Sequence, residues 1–165
     1  MRIGLLSDTH GYLDDRIVHH LRDCDEIWHA GDVGAESVLD QLEAVGPRLR
    51  AVFGNIDGRA VRLRCPETLV FDAAGLKVLI THIGGYPGRY APPVRPLLQR
   101  ERPGLFICGH SHILRAMPDR PLGLLHLNPG AAGRHGFHKV RTLLRFQIEQ
   151  GQVQQLQAVE LGPRV

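Results

Sequence analysis

The stretch Gly109-His110-Ser111-His112 directly follows the apolar run Leu105–Cys108 and closes an ordered series of polar motifs. The earlier members of the series also each follow a short apolar run: Asp8-Thr9-His10, Gly31-Asp32, Gly54-Asn55 and Thr81-His82. Apolar runs of this length, bounded by turn-forming residues, are typical of buried β-strands. Two histidines separated by one residue after such a run are poorly explained by core packing. The series therefore predicts that several strands end at one shared site.

The residue types in these motifs indicate the chemistry of that site. Aspartate, asparagine and histidine side chains, with no thiolate among them, suit borderline divalent ions such as manganese, iron or zinc. The candidate ligands are too many for one ion and sufficient for two. Each motif alone has a structural alternative, because Asp8-Thr9-His10 can cap a helix and Gly31-Asp32 and Gly54-Asn55 are common turn sequences. The prediction of a metal pair therefore depends on the ordered set.

The composition is typical of an ordinary globular protein. The chain has 165 residues, of which 43% are hydrophobic, so we expect residues 1–165 to form a single domain. Three cysteines without a C-x-x-C pair argue against a disulfide framework. The sequence has no apolar stretch long enough to span a membrane and no secretory signal, so we expect a cytoplasmic protein without a membrane partner. A net charge of +3 gives no case for nucleic acid as a partner other than a substrate.

The pattern of apolar residues changes along the chain. Up to residue 53, short strands alternate with helical patterns, as in Arg2–Ser7, Leu13–Leu21 and Glu26–His29, which predicts βαβ units and a largely parallel sheet. The remaining predicted elements are helices at 35–45 and 94–99 and strands at 49–53, 68–71, 76–81, 105–108, 124–127, 142–149 and 153–161. This order predicts an α/β fold in which two sheets pack face to face and helices cover the outer faces.

The order Asp-x-His, Gly-Asp, Gly-Asn, His and Gly-His-x-His resembles the calcineurin-like metallophosphoesterase superfamily, and its small bacterial and archaeal YfcE-type branch in particular. The resemblance covers Met1 to about Ala132, and the motif set is highly specific. It implies a four-layer α-β-β-α sandwich of two mixed β-sheets. It also implies two divalent ions, most often manganese, with iron, zinc, nickel or magnesium as alternatives. Members of this branch often form dimers or tetramers, so a homo-oligomer is expected.

The resemblance further implies a ligand for each position of the two ions. The implied ligands form two sets that share Asp32 as a bridge: Asp8, His10, Asp32 and His112 for one ion, and Asp32, Asn55, His82 and His110 for the other. Two ions held close together lower the pKa of a bridging water, and the resulting hydroxide attacks phosphorus in line. Asn55 and His110 are also expected to contact the phosphoryl group, which makes them the candidate catalytic residues. The implied activity is hydrolysis of a phosphoester, with phosphodiesters expected ahead of monoesters.

One departure from the family pattern concerns the leaving group. Larger superfamily members have a histidine directly after Gly-Asn that is thought to protonate the leaving oxygen, whereas this chain has Ile56, which cannot donate a proton. We therefore expect a preference for good leaving groups unless another acid serves. Asp57 is a candidate for that acid, and its alternative role is to hold the turn.

A second departure concerns the wall of the site beyond His82. Many small members have Gly-His there, whereas this chain has Ile83-Gly84-Gly85-Tyr86-Pro87-Gly88-Arg89-Tyr90. Tyr86, Arg89 and Tyr90 are therefore predicted to determine substrate choice, with Tyr86 and Arg89 as substrate contacts. Arg134, after the later glycine-rich segment, is a further candidate for binding substrate. The segment from Asn128 to Lys139, which includes His135 and His138, is compatible with a phosphate-facing rim and equally with a loop followed by the start of a basic strand. The expected substrate is a small-molecule or terminal phosphoester.

Two other functions remain open at this point. The fold also resembles a eukaryotic retromer scaffold subunit, so a metal-binding interaction module with little or no turnover is the main alternative. A mononuclear metal hydrolase, such as a peptidase, needs only three ligands and an open position, and would leave half of the ligand set unexplained.

Overall fold

The chain, described from residue 1 to residue 165 in a computed structural model, folds into four helices and twelve strands. The helices are α1 (Asp15–Leu21), α2 (Glu36–Ala44), α3 (Arg59–Arg64) and α4 (Val94–Glu101). The strands are β1 (Arg2–Leu6), β2 (Glu26–His29), β3 (Arg48–Ala51), β4 (Thr68–Ala73), β5 (Leu76–Thr81), β6 (Gly85–Tyr86), β7 (Arg89–Tyr90), β8 (Leu105–Ile107), β9 (Leu114–Asp119), β10 (Leu124–Pro129), β11 (Val140–Glu149) and β12 (Gln152–Pro163). No helix has the length and apolar character needed to cross a bilayer.

Ten of the strands form two five-stranded mixed sheets. The first sheet has the order β12-β11-β1-β2-β3. Strands β1, β2 and β3 are parallel to one another, β11 is antiparallel to β1, and β12 is antiparallel to β11. The second has the order β4-β5-β8-β10-β9, in which β5, β8 and β10 are parallel between two antiparallel edge strands. Each sheet therefore contains three parallel strands whose carboxyl ends lie at one edge, where α/β proteins build ligand sites.

Three apolar clusters hold the helices and sheets together in layers. The cluster between the sheets includes Trp28 of β2 and Ile80 of β5. A second cluster packs the outer face of the first sheet against the helices, with Leu39 of α2 fully buried in it. A third packs Leu98 of α4 against Phe106 of β8 on the outer face of the second sheet. The predicted four-layer α-β-β-α sandwich is confirmed.

Several short elements escaped the sequence prediction for physical reasons. Helix α3 has a single buried residue, Val61, so it shows no apolar stripe. Strand β9 contains Pro118, which a strand interior rarely accepts, and it lies at an edge of the second sheet. Helix α1 begins later than predicted because the Asp14 side chain accepts the backbone N–H of Ile17 and caps it.

Candidate metal centre

The polar motifs of the sequence meet where the parallel strands of the two sheets end. In the first sheet, Asp8 and His10 follow β1, Asp32 follows β2 and Asn55 follows β3. In the second sheet, His82 follows β5, and His110 and His112 follow β8. Because the two sheets pack face to face, their strand ends face one another, and all seven predicted ligands lie in one cluster.

Six of the seven side chains form two compact groups, within each of which the ligand atoms lie within 4.8 Å of one another: Asp8, His10 and His112 in the first, and Asp32, His82 and His110 in the second. Asp32 reaches toward both groups, since its Oδ1 lies 3.2 Å from Nε2 of His82 and its Oδ2 lies 3.7 Å from Nε2 of His10. Asn55 borders the same cluster from an exposed position. The two groups divide along the lines of the implied ligand sets, while the binding of ions by these residues stays a prediction.

Buried polar atoms without partners mark the centre of the cluster. Asp8 is 0% exposed; its Oδ2 accepts the backbone N–H of His110 at 3.1 Å, whereas its Oδ1 accepts no hydrogen bond. Nε2 of His10 and Nε2 of His82 are also buried without a partner. Each such atom costs about 1–3 kcal/mol. A divalent cation would satisfy a carboxylate oxygen and imidazole lone pairs together, so the donor set fits a metal ion.

The electrostatics of the second group favour a bound cation. The Nδ1 of His82 lies 2.8 Å from the carbonyl oxygen of Ala30, so Nδ1 carries the proton and Nε2 keeps its lone pair toward Asp32. Burial opposes a charge on His82, but Asp32 and Asp8 outweigh it and raise the pKa of His82 above its usual value. Burial also opposes a charge on Asp32, yet the adjacent His82 ring and the backbone N–H of Ile56 keep the pKa of Asp32 below its usual value. Asp32 is therefore ionised at neutral pH.

The backbone at these strand ends has an uncommon conformation. Five of the seven candidate ligands have φ between +49° and +64°: Asp8, His10, Asp32, His110 and His112. Aspartate, asparagine and histidine tolerate this left-handed region better than other non-glycine residues do. Backbone outliers of this kind concentrate at functional sites, where the surrounding structure holds them in place. The clustering therefore supports a functional role for the strand ends.

Glycines in the motifs allow the loops to approach one another. A Cβ atom at Gly54 would overlap Oδ1 of Asp32, and a Cβ atom at Gly109 would overlap the Ser7 hydroxyl and lie 2.8 Å from Oδ2 of Asp8. The Gly-Asn and Gly-His motifs thus need glycine for close packing as well as for turning.

Asp57 fastens two of the loops together. Its carboxylate accepts backbone N–H groups from Val33 at 3.1 Å, Gly34 at 2.7 Å and Gly54 at 2.7 Å. The side chain therefore ties the loop after β2 to the loop after β3. Since both oxygens serve backbone donors, the geometry favours the turn-holding role of Asp57 over the role of a leaving-group acid.

Asn128 braces the Gly-His-Ser-His loop, a role that the sequence analysis missed. Its Nδ2 donates to the carbonyl oxygen of Gly109 at 2.8 Å and to Oγ of Ser111 at 3.1 Å. Its Oδ1 accepts the N–H of Gly130 at 3.0 Å. The only signal in the sequence was an asparagine at the start of a glycine-rich segment, which is common in ordinary loops.

Three cavities adjoin the cluster. One of about 440 Å³ lies directly over it and is also lined by His135 and Phe137. A second, of about 560 Å³, lies beside Asn55 and His82. A third, of about 280 Å³, borders His110. Open space therefore adjoins the cluster at three places.

The predicted substrate residues occupy different surroundings. Tyr86 and Arg89 line the 280 Å³ cavity together with Arg115, whose guanidinium lies 4.2 Å from the centre of the Tyr86 ring. Arg134 instead lies 4.5 Å from the ring of Tyr12 and lines none of the three cavities. A substrate contact by Arg134 stays a prediction without a cavity to support it.

The loop after β10 brings two histidines against the cluster, for which the sequence left open a phosphate-facing rim or an ordinary loop. The ring of His135 lies 4.9 Å from the ring of His10. His138 contacts His112, with 3.3 Å between the two Nδ1 atoms. Their residue type was a signal, but nothing in their spacing placed them beside motifs that precede them by many residues.

Comparison with known proteins gives a consistent result. Residues 1–151 match the calcineurin-like phosphoesterase superfamily domain. A probable metallophosphoesterase of Methanothermobacter thermautotrophicus is 30% identical over 138 residues, which are 79% of this chain and 77% of that protein.

Solved structures with the same fold include an archaeal phosphodiesterase, with a TM-score of 0.76, 21% identity, and coverage of 98% of this chain and 100% of that one. Vps29 from Entamoeba histolytica, complexed with Zn²⁺, has a TM-score of 0.74 and 17% identity, with coverage of 97% of this chain and 99% of that one. At these identities the similarity shows the fold.

Proposed function

Because this chain belongs to the calcineurin-like phosphoesterase superfamily, we propose that it is a metal-dependent phosphodiesterase with a dinuclear centre. The proposed ligands are Asp8, His10, Asp32, Asn55, His82, His110 and His112. The observation that carries the proposal is the pair of ligand groups around buried atoms that lack any other partner. Two divalent ions, of which manganese is the first candidate, supply an acidified water molecule and neutralise phosphoryl oxygens when they are bound.

The proposed bridging ligand is Asp32, since its two oxygens face different groups. The backbone N–H of Ile56 donates to Oδ1 of Asp32 at 3.1 Å and fixes the direction of the carboxylate. Asp8 is fixed in the same way by the backbone N–H of His110. Backbone donors thus hold both carboxylates in fixed orientations, so little reorganisation is needed when charge changes in the site.

The proposed contacts to the phosphoryl group come from Asn55 and His110. Both are exposed and line the cavity over the cluster, so each can donate a hydrogen bond to a non-bridging oxygen of the substrate. Ile56 lines the same cavity, is 46% exposed and offers no proton to a leaving group. Esters of acidic alcohols, which leave without protonation, are therefore the expected substrates.

The proposed substrate is a small-molecule or terminal phosphoester. Cavities of about 280 and 560 Å³ adjoin the cluster, one beside His110 and the other beside Asn55 and His82, and they meet at Ile83. Two adjoining spaces favour a diester, which has two organic groups, over a monoester. Nucleic acid enters this proposal only as a substrate.

The experiment is hydrolysis of bis-p-nitrophenyl phosphate, a diester, and p-nitrophenyl phosphate, a monoester, by chelator-stripped protein. Without metal we expect no turnover of either ester. Added manganese should restore turnover, with the diester hydrolysed at the higher kcat/KM. Absence of hydrolysis in protein that binds manganese would refute the proposed activity.

A metal-held scaffold is the second candidate function. Four apolar side chains are exposed around the mouth of the site: Ile56 at 46%, Ile83 at 46%, Ile113 at 52% and Phe137 at 102%. Vps29, a vacuolar protein sorting protein, has the same fold. The complete ligand set is the reason that we prefer the enzyme, and bound manganese without hydrolysis of any phosphoester would favour the scaffold.

A further inference from the structure

We propose that His138 is a positioning residue that fixes the tautomer of His112, so that Nε2 of His112 is free to bind a metal ion; this inference rests on the dinuclear centre proposed above. His138 lies between β10 and β11, outside all of the motifs that carry the family resemblance. It is not among the proposed ligands and would act only through His112.

A continuous chain of polar contacts runs through the two rings. The Nε2 of His138 lies 2.9 Å from the carbonyl oxygen of Gly133. The Nδ1 of His138 lies 3.3 Å from Nδ1 of His112, and the ring centroids are 5.2 Å apart at 69°. On the far side, Nε2 of His112 lies 3.1 Å from Oδ1 of Asp8. This series of contacts therefore connects the carbonyl oxygen of Gly133 to the carboxylate of Asp8, at the centre of the cluster.

With both rings neutral, the carbonyl of Gly133 determines the direction of both hydrogen bonds in this series. A carbonyl oxygen only accepts, so Nε2 of His138 carries a proton. A neutral imidazole has one N–H, so Nδ1 of His138 is an acceptor. The close contact then requires Nδ1 of His112 to donate, which leaves a lone pair on Nε2 of His112 beside Asp8. A histidine that binds a metal through Nε2 has this tautomer.

In the other ligand group, a backbone carbonyl alone fixes the same tautomer on His82. The Nδ1 of His82 lies 2.8 Å from the carbonyl oxygen of Ala30 and needs no second side chain. Each group therefore contains a histidine whose Nδ1 donates and whose Nε2 faces a carboxylate. Only at His112 is the acceptor a side chain, so only there can substitution remove it.

The backbone at Gly136 packs directly against the rings of His112 and His138. Its φ is +125°, and a Cβ atom there would overlap Nδ1 of His112 and come within 3.3 Å of Nδ1 of His138. The backbone of this loop thus packs directly on the contact between the two rings. This packing limits the rotation of either ring and keeps the hydrogen bond in one geometry.

The first test is the tautomer of His112 in metal-free protein, read from long-range ¹⁵N NMR of the histidine rings. We expect the Nδ1–H form of His112 and the Nε2–H form of His138 in the unsubstituted chain. His138→Phe should shift His112 to the Nε2–H form, and His138→Asn, whose oxygen can accept near the position of Nδ1, should keep the Nδ1–H form. An Nε2–H form of His112 in the unsubstituted chain would overturn the inference without any variant.

The second test is manganese affinity by calorimetry on the same proteins. His138→Phe should weaken one of two binding events by about 10–100-fold and leave the other unchanged, and His138→Asn should recover most of the loss. His19→Phe, at an exposed position on α1, is the matched control and should bind as the unsubstituted chain does. Equal affinity in folded His138→Phe overturns the role of His138 alone. An unsubstituted chain that binds no manganese overturns the dinuclear centre itself.

Discussion

Oδ1 of Asp32 lies 3.2 Å from Nε2 of His82, which joins the end of β2 in one sheet to the end of β5 in the other. Fifty residues separate the two in sequence, and each follows its own parallel strand. The contact exists because the two sheets pack face to face with their parallel strand ends adjacent. The candidate metal centre therefore forms at the interface between the sheets, and its geometry depends on the loops that follow the parallel strands.

Asp57 should be essential for the stability of these loops. Asp57→Ala leaves three backbone N–H groups without an acceptor, two of them bound at 2.7 Å. We expect a loss of about 3 kcal/mol or more in the free energy of unfolding, because unsatisfied buried donors cost about 1–3 kcal/mol each. Urea unfolding measures the loss. Asp40→Ala, an exposed aspartate on α2, should change stability by less than about 0.5 kcal/mol, and a similar small effect at Asp57 would contradict the assignment.

His126 should make the protein sensitive to acid. It is 0% exposed with both ring nitrogens unpartnered, and burial together with the charge of Arg115 lowers its pKa to about 4. Between pH 6.5 and 4 the unfolded chain binds a proton that the folded chain does not. The free energy of unfolding is therefore unaffected by His126 above pH 6.5, and it falls by about 1.4 kcal/mol per pH unit as the pH decreases from 6.5 toward 4.

His126→Phe removes both the titration and the unpartnered atoms. We expect this variant to lose less stability than the unsubstituted chain between pH 7.5 and pH 5 in urea unfolding of metal-free protein. His19→Phe, at an exposed histidine, should keep the slope of the unsubstituted chain. Identical slopes for all three proteins would show that His126 is not held neutral in the fold.

Ile56 should make turnover depend steeply on the leaving group. No proton donor stands at this position of the cavity, so rates with substituted phenyl diesters should fall as the pKa of the phenol rises. Ile56→His should raise turnover of the poorest leaving groups, by up to about 10²-fold, and so flatten that dependence. Ile56→Val is the control and should keep the steep dependence. A flat dependence in the unsubstituted chain would reveal a leaving-group acid elsewhere.

Tyr86 and Arg89 should influence which diester is preferred. Both line the 280 Å³ cavity beside His110, where they would contact an organic group of the substrate. Replacing both by alanine should change the ratio of kcat/KM between a bulky and a methyl diester by about 10-fold, since contacts worth about 1.4 kcal/mol give that factor. Arg134→Ala is the comparison, because Arg134 lines no cavity next to the cluster. An unchanged ratio in the double variant would remove these residues from the substrate site.

The sequence predicted the strand ends well because apolar runs and polar motifs are local patterns. Asp32 and His82 could be assigned to one site from the order of motifs alone. Holding the turn was one of two alternatives for Asp57, but the backbone groups that Asp57 and Asn128 bind could not be predicted, because only the fold brings them close. The same holds for His138, whose partner lies 26 residues away across β9 and β10.

Arg141 is a charged residue whose structural role could not be predicted from the sequence. The charge of Arg141 alone is compatible with facing an anionic substrate or solvent. It is instead 2% exposed, and its guanidinium donates to Asp14 at 2.9 Å and to the carbonyl oxygen of Leu161 at 3.0 Å. The chemistry of a guanidinium group does not reveal whether its partner is a ligand or the protein itself.

The measurement that tests the dinuclear centre most directly is a titration of chelator-stripped protein with manganese, in which bound metal and diester hydrolysis are followed in the same samples. We expect two manganese ions per chain at saturation and turnover that rises in step with occupancy of the second ion. Asp32→Ala should bind fewer ions and lose turnover, whereas Asp40→Ala should match the unsubstituted chain. Full turnover with one ion per chain, or a fully active Asp32→Ala variant, would contradict the dinuclear centre.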